Sequence, residues 1–193
     1  MQPVSPELPI HSQTLVLHPI LPVHAALLFE DLQATELYTF IPSNPPRSRE
    51  ELLEKYRRWA GRHSADGSEI WLNYAIYHLE RSEYVGTIQA TLERSGKASI
   101  AYEVFPRYWR RGFAREACTA LIAHIFDSYD IRIISALVDT RNEMSWKLLE
   151  SLGFHRTATI KNADTFKGTI SDEYAYELHT TAATAIILAL RSS

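Results

Sequence analysis

Residues 106–117 read PRYWRRGFAREA and place Arg107, Arg110, Arg111 and Arg115 around Gly112, just ahead of a helical pattern. The first N–H groups of a helix have no intrahelical acceptor and lie at the positive end of the helix dipole. A loop entering such a helix wraps an anion with backbone donors. Gly112, with no Cβ, lets the backbone approach an anion closely or take a positive φ. Ala114 keeps the first turn uncluttered, and the arginines add long-range attraction and bidentate contacts. These residues suit the capture of a phosphate-bearing ligand, although the loop by itself also fits a structural turn with solvated arginines. It lacks both G-x-x-x-x-G-K-[ST] and the three-glycine dinucleotide fingerprint, which argues against nucleoside-triphosphatase and Rossmann dehydrogenase readings.

The rest of the composition narrows the partners. Across 193 residues, Lys and Arg total 20 against 23 Asp and Glu, for a net charge of -3. That balance argues against nucleic acid, whose binders carry a basic excess. Apolar residues make up 46%, enough to build the core of one domain. The single cysteine, Cys118, excludes an internal disulfide and a Cys-based zinc site, and no metal is expected. A reducing, cytoplasmic setting follows. The N-terminus, MQPVSPELPIHSQ, lacks the pattern of a signal peptide. The apolar run Ala185–Leu190 is too short to cross a bilayer, so no membrane partner is expected, and the run suits packing on the body or on a second subunit of a homodimer.

Periodicity supplies the elements that must position the loop. Residues 1–11 read as an irregular arm and 13–18 as a first strand. VHAALLFEDLQ, after Pro22, reads as a helix, and Ser48 with Glu51 forms a capping box for a second helix carrying Leu52, Leu53, Tyr56 and Trp59 on one face. Residues 69–79, 84–93 and 98–105 read as consecutive antiparallel strands. A helix follows through Ala114, Ala117, Cys118, Leu121, Ile122 and Ile125. The apolar run 131–138 predicts a strand covered on both faces. Asn142 caps a helix ending at Gly153, and strands near 154–161 and 173–179 flank a polar loop over 162–171. The fold class is mixed α/β, with a strand–helix–strand unit at its centre.

The stretch AYEVFPRYWRRGFAREA, followed by DTRNEMSWKLLESLGF, resembles the GNAT superfamily of acetyl-CoA-dependent N-acetyltransferases over roughly residues 12–180, with 181–193 left as a tail. Tyr108, Trp109, Gly112, Ala114, Glu116 and Ala117 match the Y-W-x-x-G-x-A-x-E-A pattern of the branch containing the RimJ/RimL ribosomal-protein N-terminal acetyltransferases. Asn142, Ser145, Leu152, Gly153 and Phe154 match its second motif, and Gly86 fits its early-glycine strand. The resemblance implies a central, mostly antiparallel sheet flanked by helices. Two positions depart from the pattern: Arg110 stands where glycine is frequent, and Leu149 stands where many members carry a tyrosine proposed as general acid.

The implied reaction is attack of a neutral amine, from a protein N-terminus or a small molecule, on the acetyl-CoA thioester. The resemblance assigns the pyrophosphate to backbone N–H groups of Arg110, Arg111, Gly112, Phe113, Ala114 and Arg115. Arg107, Arg110, Arg111 or Arg115 would take the ribose phosphate. Glu103, Val104 and Phe105 would pair with pantetheine, and Asn142 would lie near that arm. Glu103 is the candidate base, with His78, His155 and Asp139 behind it. Ser145 is the candidate partner of the departing sulfur. Tyr38, Phe40, Trp59 and the 162–171 loop would shape the acceptor site. The alternative is a protein of the same fold that binds acyl-CoA without catalysis.

Overall fold

The computed structural model describes residues 8–181. The tail, from residue 182 on, and the first seven residues of the N-terminal arm lie outside the described residues. Among the described residues, eight strands form one sheet in the order β1-β2-β3-β4-β5-β6-β8-β7. They are β1 Ile10–His11, β2 Leu15–Pro19, β3 Glu69–His78, β4 Glu83–Glu93, β5 Lys97–Val104, β6 Ile133–Asp139, β7 His155–Phe166 and β8 Thr169–His179. Every neighbouring pair is antiparallel except β5 and β6. The helices are α1 His24–Leu28, α2 Arg49–Trp59, α3 Phe113–Ser128 and α4 Glu143–Ser151.

α3 carries Ala117, Cys118, Leu121, Ile122 and Ile125 into the core, as their helical spacing predicts, and packs across β1, β2, β4 and β5. α2 begins at Ser48, whose hydroxyl accepts from the Glu51 N–H at 3.2 Å. The Glu51 carboxylate reaches the Arg47 N–H at 2.7 Å, so the capping box is shifted by one residue from the expected Ser48 return bond. Leu52 and Tyr56 are buried, with Leu53 and Trp59 packed at the margin.

Four sequence expectations need correction. Ile10 and His11 leave the arm to pair with Leu17 and Val16. The expected helix over VHAALLFEDLQ lacks a side-chain cap and stops at Leu28; single 3₁₀ turns at Asp31–Gln33 and Thr35–Tyr38 continue the path. β6 is not covered on both faces, since Leu137 is 61% exposed. The polar stretch 162–171 is mostly strand. β7 and β8 run on to a two-residue turn at Lys167 and Gly168, both at positive φ (51° and 75°), the geometry of a tight hairpin turn whose twist matches its strands.

Two features of the centre position the site. β5 and β6 are in register only from Lys97–Ser99 opposite Ile133–Ser135, yet β5 continues to Val104 and β6 to Asp139. Beyond Ser99 the parallel strands part and open a slot in the sheet. On the other edge of β5, Gly86 of β4 faces Val104 so closely that a Cβ there would lie 2.1 Å from the Glu103 carbonyl oxygen. Only glycine fits, and the contact fixes the backbone of Glu103.

Candidate active site

The arginine-rich stretch 106–117 forms a single 3₁₀ turn, Pro106–Tyr108, and then enters α3 through Gly112. Gly112 has φ 85° and ψ -10°, a left-handed conformation, and a Cβ built on it would meet no atom within 4 Å. The glycine is there for its backbone angle, and the space in front of it is open. The Gly112 carbonyl accepts the first helical bond, from the Glu116 N–H at 3.1 Å. The N–H groups of Phe113, Ala114 and Arg115 precede that bond and make up the unpaired first turn. Arg110 also sits at positive φ, 60°. The departure from the motif at this position is thus an arginine in a strained conformation. Replacing it, Arg110→Gly, is expected to stabilise the fold by about 0.5–1 kcal/mol in urea denaturation, the left-handed penalty less the entropy of glycine.

The arginines divide. Arg110, Arg111 and Arg115 line a cavity of about 370 Å³ beside Gly112. Arg107 does not. Its guanidinium is held by Asp31 across two contacts of 2.9 and 3.0 Å and lies over the Tyr108 ring, so it is withdrawn from the phosphate role left open to it. Phe105 is withdrawn as well. Its side chain is fully buried, its N–H donates to Val85 at 2.9 Å and its carbonyl accepts from Tyr108. That pairing sets the antiparallel alternation along β5: alternate residues bond to β4, and the backbone groups of Tyr102 and Val104 face the slot. The Val104 carbonyl accepts from the Trp109 indole at 2.5 Å, which ties the loop to the strand end.

A second cavity, of about 650 Å³, lies between β4–β5 and the segment from Leu32 to Trp59. It is lined by Tyr38, Phe40 and Trp59, as expected, and by Lys55, Tyr56, Thr87 and Gln89, which sequence reasoning missed. The 162–171 segment acts on it from outside. Lys167, at the hairpin turn, donates to the carbonyls of Tyr38, Ile41 (3.1 Å) and Ser43 (2.9 Å) and pins the rim.

The two cavities share Leu37, Phe40, Tyr102, Glu103 and Asn142. Glu103 is half-buried. Burial pushes its pKa above the usual carboxylate value, against the pull of Lys55 and a hydrogen bond from Thr87. Tyr38 and Tyr56 are raised by burial and then by the Glu103 charge. Asn142 caps α4, its side-chain oxygen accepting from the Ser145 N–H at 3.2 Å, and it lines both cavities. Cap and site residue are one.

Ser145 lines the cavity beside the loop, and its hydroxyl lies 2.9 Å from the Tyr102 hydroxyl. Tyr102 was missed by the sequence reading, although strand alternation sends it to the face opposite Glu103. The absent tyrosine at position 149 is fully replaced by packing, for Leu149 is buried in the core. The weaker base candidates lie elsewhere. His78 is buried against Phe113 and accepts from the Arg81 N–H. His155 is exposed at the start of β7. Asp139 binds Arg141 and the Ser171 hydroxyl, which together hold its carboxyl down at about 2.

A mixed sheet opened between two parallel strands, with an arginine-flanked helix N-terminus beside the opening and an acid at its inner end, defines the architecture of an acyltransferase. The chain belongs to the GNAT acetyltransferase family, whose domain model matches residues 14–155. A Bacillus subtilis relative named as the N-acetyltransferase YoaA is 25% identical over 171 residues, covering 88% of this chain and 95% of its own. Among solved structures, RimL, a ribosomal L7/L12 α-N-protein acetyltransferase bound to coenzyme A, superposes with a TM-score of 0.81 at 20% identity, covering 91% of this chain and 99% of its own. A GNAT acetyltransferase from Bacillus anthracis gives 0.76 at 18% identity, covering 89% and 98%. No helix among the described residues is long and apolar enough to cross a membrane.

Proposed function

We propose that the chain transfers the acetyl group of acetyl-CoA directly to a primary amine, within the RimJ/RimL-like branch that its two motifs resemble. The observation that carries this reading is the meeting of the two cavities at Tyr102, Glu103 and Asn142. One cavity holds the arginine-flanked start of α3 and the other an aromatic chamber, with Glu103 bordering both, so a thioester and an amine would meet between them.

The unpaired N–H groups at the start of α3 would take the pyrophosphate, with Arg110, Arg111 and Arg115 around it. The slot beyond Ser99 would take the pantetheine arm against the backbone of Tyr102 and Val104. Glu103 would accept the proton of the incoming ammonium, directly or through water. The amine nitrogen then bonds to the carbonyl carbon, the C–S bond breaks, and the departing thiolate, held by a hydrogen bond from Ser145, takes the second proton from the nitrogen to leave as the thiol. Holding both reactants in one channel supplies much of the rate, because the encounter is no longer bimolecular.

Gly112→Val tests the anchoring. The added side chain meets open space, so the core is undisturbed, but a β-branched residue does not hold φ 85°. Acetyl-CoA affinity measured by calorimetry is expected to fall at least about tenfold as the cradle is lost. Unchanged affinity in the folded variant would sink the assignment. Thiol release, with products identified by mass spectrometry across peptides and small amines, tests the transfer itself.

A further inference from the structure

The acceptor cavity carries four charged residues: Arg47, Glu51, Lys55 and Glu103. Glu51 is occupied at the start of α2, where its carboxylate accepts the Arg47 N–H at 2.7 Å. Glu103 is the acid of the lining that also borders the cavity beside Gly112, which makes it the one placed to meet a reacting amine. The two cations have no such engagement. Among the described residues, no carboxylate lies within ion-pair distance of Arg47 or Lys55. Lys55 lies over the Trp59 ring, 4.4 Å from its centroid, and its charge is felt at Glu103. A polyamine entering this cavity would bring its second cation against Lys55 and Arg47. An amine that also carries an anion would meet opposite charge at both ends.

The rim argues for a small ligand. The loop from Tyr38 to Ser43 is pinned by three bonds from Lys167, and Pro45 and Pro46 stiffen the chain that continues the wall. A volume of about 650 Å³ suits a small molecule with an aromatic or apolar part against Trp59 and Phe40.

We propose that the acceptor is a small primary amine carrying a carboxylate or phosphate, its amine against Glu103 and its anion against Lys55, with Arg47 at the rim. This rests on the transferase reading and names its substrate class.

The test uses matched amines with acetyl-CoA: L-phenylalanine against L-phenylalaninamide, phosphoethanolamine against ethanolamine, and spermidine as the polycation. Thiol release gives kcat/KM for each, and calorimetry with CoA present gives binding of the same compounds. The anionic member of at least one pair is expected to exceed its neutral partner at least about tenfold, as one well-placed ion pair allows. The pair that shows the preference tells carboxylate from phosphate. In Lys55→Glu the preference is expected to collapse and spermidine to gain, whereas Lys147→Gln, on the exposed face of α4, keeps the wild-type ratio. If Lys55→Glu lowers both members of a pair equally, Lys55 acts only through Glu103 and the proposal fails. Acetylation that favours neutral amines or spermidine keeps the transferase and overturns the substrate class. Lys55-dependent binding of the anionic amines without acetylation keeps the substrate class and overturns the transferase, and absence of both overturns both.

Discussion

Glu103→Gln is expected to lower kcat/KM for the amine by about 10²–10⁴-fold, the range for losing a general base, while acetyl-CoA affinity stays within about twofold. Glutamine keeps the shape of the side chain and removes only its basicity. The pH profile supplies a second reading. Burial raises the Glu103 pKa, so the carboxylate forms only as pH climbs through a value above the usual range. Activity limited by this base therefore falls as pH drops through that raised value, and the variant loses that limb. Stability runs the other way. The folded state holds the Glu103 proton more tightly than the unfolded chain, so this group's contribution to stability declines as pH rises from the unfolded to the folded pKa. Once ionised, the buried carboxylate is a cost, partly offset by Lys55. Glu103→Gln is expected to match or exceed the wild type in thermal stability, which separates a catalytic loss from a folding defect. A variant with wild-type activity would remove Glu103 from the reaction.

Glu116→Ala is expected to destabilise the fold by about 3 kcal/mol, or about 6–12 °C in Tm for a chain of this size. The carboxylate accepts from the Thr14 N–H at 2.6 Å, the Thr14 and Ser12 hydroxyls at 2.7 Å each, and the Leu15 N–H at 3.2 Å. Bonds to a charged acceptor contribute about 1.5–3 kcal/mol each. They share one half-buried group and do not add, hence the lower total. Alanine strands the Thr14 N–H where β1 turns into β2, while the Leu15 N–H keeps the Ser12 hydroxyl at 3.2 Å. Burial works to raise the Glu116 pKa, but the bonds from Thr14, Ser12 and Leu15 outweigh it and leave the carboxyl below its ordinary value. The stabilisation is complete above the unfolded pKa and is lost as pH falls through the depressed folded pKa. Urea titrations at descending pH should show the wild type converging on the variant. A constant gap down to strong acid would mean the bonds are not charge-assisted.

Glu116 also shows how far the sequence could be read. It matched a family motif beside the anion loop, and the structure gives it a scaffolding role that anchors the N-terminal strands to the first turn of α3. Gly112, the Asn142 cap and the helical face of α3 were legible because each is a local pattern. Arg107 was not, because its partner Asp31 lies 76 positions away. Phe105 was misplaced because strand alternation decides which backbone groups face the slot, and the register against β4 does not show in a single chain. Tyr102 and Lys55 were passed over for a similar reason: each becomes informative only when the other side of its cavity is known. The turn at Lys167–Gly168 was hidden by polar residues on both exposed strands, which look like loop when neither face is buried.

Lys167 joins parts of the chain 129 positions apart. During synthesis at about 5–20 residues per second, roughly 6–26 s separate the emergence of Tyr38 from that of Lys167. The arginine-rich loop before α3 and the strand end it is tied to precede the hairpin in this order. A growing chain can therefore form the turn at Gly112 before the rim of the larger cavity has its clasp. Ribosome-bound intermediates stalled ahead of β7 would expose the arginine-lined cavity beside Gly112 while the larger cavity lacks its fastened rim, so on the proposed reading the half of the site that would discriminate between amines is the last to take its form.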